Sequence, residues 1–340
     1  MKNALVKGAI SLHKLCQPKR NPLHNPTSPR ILIFSTTGVG DTLWGTPAIR
    51  AIKKTFPEGN ITVVTSKAGK ELLLHNPYVD QIIPFDAPHL KKTIQSLNAD
   101  TALIFHISQR IMMPLSYFSN ASRIVGSAGI NKGLDSLLTH CLEKKYEHEI
   151  QRRLRQAELI GASPDGSEME IFLTDTERSH APALPKPLIA IHPGSKDLFK
   201  QYPPHLFAEV GKKLSGTVVI TGGKDEVALC EEVANAIPGS TSLAGKFSLR
   251  ELAALIEKCN LFITNDTGPM HIACAMKTKT IALFGPTDPK LCGPYQNENT
   301  TVLQRSPTCT PCLRKKCLDP FCMHQISPYD VVNEISSLIG

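Results

Sequence analysis

The chain is predicted to fold as two doubly wound α/β domains facing a central cleft. Short apolar runs alternate with amphipathic stretches from residue 31 onward. The alternation pauses near 174–187, where three prolines and several polar residues read as an interdomain connection, and then begins again. At 340 residues there is room for two cores of ordinary size. In the first half, strands are expected at 31–34, 61–65, 81–85, 101–105 and 123–125, with helices at 68–75, 90–97 and 147–160. In the second half, strands are expected at 188–192, 217–221, 242–243, 261–264 and 280–284. Helices there fall at 204–214, 226–236, 249–258 and 269–276. The predicted organisation is a basic tail and proline-rich linker at 1–29, a first domain at 30–180 and a second at 181–325. A final helix at 326–340 is expected to pack back on the first domain.

The first strand leads into "ILIFSTTGVGDTLWGTPAIRAIKK", residues 31–54. Gly38 and Gly40 are expected to permit a sharp turn through backbone angles closed to other residues. Leu43, Ala48, Ile49 and Ile52 then recur at roughly helical spacing. A dinucleotide fingerprint would need a third glycine at position 43, which is Leu43. No phosphate loop ending in Gly-Lys-Ser or Gly-Lys-Thr occurs either. Asp41, directly after the second glycine, would repel a phosphate, so it either caps the following helix or does chemistry of its own.

Charge is unevenly spread. Residues 1–30 hold Lys2, Lys7, Lys14, Lys19, Arg20 and Arg30 and no acid, so a net charge of +8 for the chain leaves only +2 for the rest. Leu5, Ala9, Leu12 and Cys16 share one helical face there, opposite Lys7, Ser11 and Lys14. That pattern fits a basic helix lying on an anionic membrane surface, or a solvated extension. Pro18, Pro22, Pro26 and Pro29 mark a linker. With 41% hydrophobic and 20% charged residues, the composition is that of a soluble globular protein. No run of about 18 uncharged apolar residues suggests a membrane span, and no secretory signal is recognised.

The second domain carries phosphate chemistry. In "TNDTGPMHIACA", Asp266 and Thr267 follow a buried strand, and Gly268 and Pro269 open a helix. The positive end of that helix suits a pyrophosphate. "HPGSKDLFKQYPP" supplies Ser195 and Lys200 from a neighbouring strand end, one to donate a hydrogen bond and one to neutralise charge. "TGGKDE" brings Glu226, which could accept from ribose hydroxyls, while "AGKF" is left for the base. Open parallel sheets bind ligands at the carboxyl ends of their strands, where all these segments fall.

Taken in order, "GVGDTLWGTPAIRAIKKTFP", "HNPYVDQIIPFD", "IHPGSKDLFKQYPPHLFAEV", "SLAGKFSLRELAALIEKCNLFITNDTGPMHIACAM" and "IALFGPTDP" resemble glycosyltransferase family 9, the ADP-heptose:lipopolysaccharide heptosyltransferase family. The resemblance runs from about residue 31 to the C-terminus. It implies a GT-B fold of two Rossmann-like domains, and a donor that is an ADP-sugar, ADP-heptose foremost. It implies a lipid-linked saccharide acceptor of the lipopolysaccharide core, with no nucleic acid as partner. By the same resemblance Asp41 is the catalytic base, Lys200 binds the donor phosphates and Glu226 meets the ribose. Phe247 lies against the adenine, and the segment containing Asp266, Thr267, Gly268 and His271 holds the pyrophosphate and donor sugar. A cytoplasmic enzyme is implied, with peripheral contact at the inner face of the inner membrane through the tail.

Such an enzyme would invert the anomeric centre in one displacement. A carboxylate is a weak base toward a free alcohol, but the acceptor hydroxyl becomes acidic as the new bond forms, and Asp41 can then take its proton. Lys200 and the helix end would stabilise the departing diphosphate, and the resemblance implies neither metal nor cofactor in this scheme. Other readings are a transferase using a different nucleotide sugar, a dinucleotide-dependent oxidoreductase, disfavoured by Leu43, and a non-catalytic nucleotide-sugar sensor, disfavoured by Asp41 and Lys200. Separately, Cys309, Cys312, Cys317 and Cys322 fall within 14 residues, in "CTPCLRKKCLDPFC". They could hold a structural zinc or iron–sulfur centre, form a local disulfide, or remain thiols.

Overall fold

The computed structural model describes residues 27–105, 111–310 and 312–339. The basic helix expected in the tail and most of the proline linker lie outside the described residues. The described residues divide into two compact units, with the boundary between Ser167 and Glu168.

In the first unit the elements run β1 (Arg30–Ser35), α1 (Val39–Leu43), α2 (Thr46–Thr55), β2 (Asn60–Thr65), α3 (Lys67–Leu73), β3 (Gln81–Pro84), α4 (Leu90–Ser96) and β4 (Thr101–Ile104). They continue with α5 (Met112–Phe118), β5 (Arg123–Ser127), β6 (His140–Leu142) and α6 (Glu149–Glu158). The sheet is parallel, in the order β3-β2-β1-β4-β5-β6. Both of its faces are covered. Leu32 and Phe34 of β1 join one core with Val64, Ala102 and Ile104. Ile31 and Ile33 join another with Ile61, Val63 and Leu103. A strand buried on both sides has no polar alternate positions, which is why β1 reads as an unbroken apolar run.

The second unit repeats the plan: α7 (Asp175–His180), β7 (Leu188–His192), α8 (Pro204–Gly211), β8 (Thr217–Ile220), α9 (Val227–Asn235), β9 (Thr241–Ser242), α10 (Leu249–Lys258) and β10 (Leu261–Asn265). It ends with α11 (Gly268–Ala275), β11 (Thr280–Phe284), α12 (Pro289–Cys292), β12 (Thr300–Gln304), α13 (Phe321–His324) and α14 (Pro328–Ile339). Its parallel sheet is ordered β12-β11-β10-β7-β8-β9. Counted from β7, this is the same order as in the first sheet. Each sheet therefore reverses direction beside its first strand, between β1 and β4 and between β7 and β10, and such points open a crevice at the strand ends. Among the described residues, no helix is long and apolar enough to cross a membrane.

Several expectations are corrected. Neither Gly38 nor Gly40 is among the left-handed glycines. Gly38 is extended (φ −74°, ψ −179°) and caps α1 without a side-chain bond, so the turn needs no forbidden angle and Asp41 is not the cap. The supposed connection at 174–187 contains α7, closed by a capping box of Thr174 and Glu177. Arg250 of α10 pairs with Glu177 and donates to the Phe172 carbonyl, while Arg178 pairs with Glu257. Those bonds tie the segment to the second unit, whose boundary falls at residue 168 and not at 181. The final helix, expected on the first domain, instead buries Val331 and Ile335 in the core of the second unit with Ile189, Phe207 and Met323.

Candidate active site

In the first unit, Asp41 lies in the first turn of α1, just past the carboxyl end of β1. That turn is braced from β2 and α3: Thr65 Oγ1 donates to the Ser35 carbonyl at 2.6 Å, and Ser66 Oγ donates to the Thr37 carbonyl at 3.1 Å. Gly69 is required at this junction, because a Cβ there would stand 1.9 Å from Thr65 Oγ1.

Asp41 does not stand alone. Its Oδ1 accepts from Arg153 Nη2 at 3.1 Å. The Arg153 side chain is wholly buried, whereas that of Asp41 keeps 27% of its surface exposed. Arg153 also donates through Nη1 to Glu149 Oε2 at 2.7 Å and to the Glu149 carbonyl at 3.0 Å. The guanidinium carbon sits 5.4 Å from the centre of the Trp44 ring. Arg152 donates to the same Glu149 oxygen at 2.5 Å, and to the Phe105 carbonyl and Ser127 Oγ at the ends of β4 and β5. Burial pushes the Arg153 guanidinium down, against the pull of Glu149. Burial opposes ionisation of Glu149 as well, yet Arg153 and Arg152 hold its carboxyl below the usual range.

In the second unit two of the residues expected to bind the donor, Lys200 and Asp266, meet beyond the carboxyl ends of β7 and β10. Lys200 Nζ lies 2.7 Å from Asp266 Oδ2, with the lysine 21% and the aspartate 6% exposed. Asp266 is thus a buried partner that fixes the lysine beside the start of α11. Thr267 is the N-cap of that helix, and its hydroxyl makes no capping bond. Glu226 lies over the backbone of Gly194: a Cβ on the glycine would come 2.0 Å from Oε1. Its Oε2 accepts from the Gly223 N–H at 2.7 Å and lies 3.8 Å from His192 Nε2. Burial keeps the His192 imidazole below its ordinary value, with Glu226 opposing. The turn bearing Phe247 is joined to the Glu226 turn by the Gly245 N–H donating to the Gly222 carbonyl at 2.9 Å. Ser195 and Phe247 are both half-buried, whereas His271 is buried within α11 and has little surface left for a ligand.

Two contributors escaped sequence reasoning. Arg153 is one. The other is Asn265, whose Nδ2 donates to the Pro193 carbonyl at 2.8 Å while its Oδ1 accepts from the Tyr202 N–H at 3.0 Å. This buried amide clips the loops on both sides of Lys200 to the end of β10. The signals were faint: adjacent arginines three and four positions after a glutamate, and a polar residue closing an apolar strand.

The four clustered cysteines are unbridged. Burial pushes the Cys322 thiol up, and Cys312 and Cys309 add to the effect. Among the described residues, no group of three or more His, Cys, Asp or Glu side chains is placed to hold a metal ion.

The lipooligosaccharide heptosyltransferase 2 of Campylobacter jejuni is 25% identical over 337 residues, covering 91% of this chain and 98% of the relative. The lipopolysaccharide heptosyltransferase 3 of Escherichia coli (strain K12) is 29% identical over 288 residues, covering 73% and 80%. The solved structure of the E. coli ADP-heptose lps heptosyltransferase II shares the fold, with a TM-score of 0.75 at 21% identity, covering 91% and 98%. The family model of Glycosyltransferase family 9 (heptosyltransferase) matches residues 127–321. That span is more than half of the chain, and the chain belongs to this glycosyltransferase family.

Proposed function

We propose that the protein transfers a heptose from ADP-heptose to a saccharide acceptor of the lipopolysaccharide core, with inversion and without a divalent metal. The observation that carries the donor side is the Lys200–Asp266 pair at the start of α11. A fixed ammonium beside a helix N-terminus supplies positive charge where a diphosphate must both bind and leave. In the step proposed, the acceptor oxygen bonds to the anomeric carbon of the donor. The bond from that carbon to the diphosphate oxygen breaks, and its electron pair leaves with ADP. The acceptor hydroxyl proton passes to Asp41. Lys200 and the α11 dipole answer the growing charge on the diphosphate, which is the task a divalent cation would otherwise perform. Glu226 would receive the ribose hydroxyls and Phe247 the adenine.

A thermal-shift panel tests the donor assignment, since a ligand bound only by the folded state adds about 2.7 kcal/mol at a hundredfold excess over its Kd. ADP-heptose and ADP are expected to raise the melting temperature, and UDP- and GDP-sugars are expected to leave it unchanged. A shift by UDP-sugars alone would overturn the adenine assignment.

We also propose peripheral contact with the cytoplasmic face of the inner membrane through the basic tail. Deleting residues 1–29 is expected to abolish flotation with anionic vesicles and to spare ADP affinity. Equal flotation with neutral vesicles would contradict this reading.

A further inference from the structure

We infer that Arg153 is a positioning residue for the transfer step, holding one oxygen of Asp41 so that the other faces the acceptor hydroxyl. This rests on the reading of Asp41 as the base. A fully buried guanidinium is costly unless its charge is matched, and here the match is shared. Glu149 takes one end of Arg153 through its carboxylate and its carbonyl, and Asp41 Oδ1 takes the other at 3.1 Å. Two arginines, 152 and 153, face two carboxylates, 149 and 41, so the group is neutral only with Asp41 as the anion. Glu149 would keep Arg152 as a partner without Arg153, so pairing Glu149 does not by itself call for Arg153.

The geometry favours orientation over plain neutralisation. Arg153 is fixed by Glu149 and by the Trp44 ring, and it meets Asp41 through a single nitrogen. A two-pronged grip would occupy both carboxylate oxygens. On the Oδ2 side the neighbouring residue is Gly38, whose absent Cβ would stand 3.9 Å from that oxygen. Arg153 takes only Oδ1, and the Asp41 side chain keeps 27% of its surface exposed, which leaves Oδ2 to meet a substrate hydroxyl.

A cycle of variants tests the inference. Arg153→Met and Arg153→Lys are each made alone and with Asp41→Asn, and kcat and KM for the donor are measured by ADP release. Arg153→Met is expected to lower kcat by about 10-fold or more, the scale on which misplacing a reacting group acts, with donor KM within a factor of about two. In the Asp41→Asn background the same change is expected to have no further effect, because the group that Arg153 positions has lost its function. Should Arg153→Met fail to fold, Arg153→Lys carries the same cycle, since a lysine keeps the charge but cannot span both carboxylates. A wild-type kcat in Arg153→Lys would overturn the inference. So would losses that multiply in the double variants while Asp41→Asn alone is impaired, and in that case the reading of Asp41 would stand. Full activity in Asp41→Asn would remove both.

Discussion

Asp41→Asn is expected to reduce sugar transfer by about 100-fold or more, the usual range for loss of a general base, with ADP affinity unchanged. Asparagine keeps the shape of the side chain, and its carbonyl oxygen can still accept from Arg153. Gly38, not Asp41, caps α1, so no capping bond is lost. The side chain is partly exposed and the fold does not depend on burying it. What disappears is the capacity to take a proton, together with the negative charge that Arg153 faces. Near-normal turnover in this variant would show that another group, or water, accepts the proton.

Lys200→Ala carries the second large effect, and the structure divides it in two. On the ligand side, a charge-assisted contact to phosphate is lost, worth about 1.5–3 kcal/mol, or roughly 10- to 100-fold in ADP affinity. Adenosine, which has no phosphate, should lose much less. On the protein side, Asp266 is left buried without its cation, which should lower the stability of the unliganded protein by about 1–3 kcal/mol. Adding Asp266→Ala is expected to recover most of that stability while leaving ADP binding weak. If the double variant regains ADP affinity, Lys200 serves the fold and not the diphosphate.

Much of the architecture was legible because buried parallel strands announce themselves as short apolar runs. All ten predicted strands are present within two residues of their expected ends. The two missed strands, β6 and β12, lie at sheet edges and are rich in polar or exposed residues, so the apolar signal fails there. The helix at 175–180 was readable from Thr174 and Glu177 three positions later, but the prolines at 182, 185 and 187 gave the whole segment the look of a linker. The candidate donor residues Lys200, Asp266 and Glu226 were legible because each follows a strand end in a local motif. Arg153 was not, because its partner is 112 residues away and pairing at that distance leaves no spacing to read. Asn265 was hidden for the same reason, as its clip reaches Pro193 across 72 residues. Asp266, expected to meet the donor, is itself buried against Lys200, an arrangement that a motif cannot convey.

A base that only removes a proton, and never bonds to the sugar, permits a single displacement at the anomeric carbon. The most direct test is therefore the anomeric configuration of the transferred heptose, read by NMR on the product formed from ADP-heptose and a core saccharide acceptor. The transferred heptose is expected to carry the configuration opposite to that of the donor. A product that retains the donor's configuration would require a second displacement or a front-face attack, and would contradict the role given to Asp41.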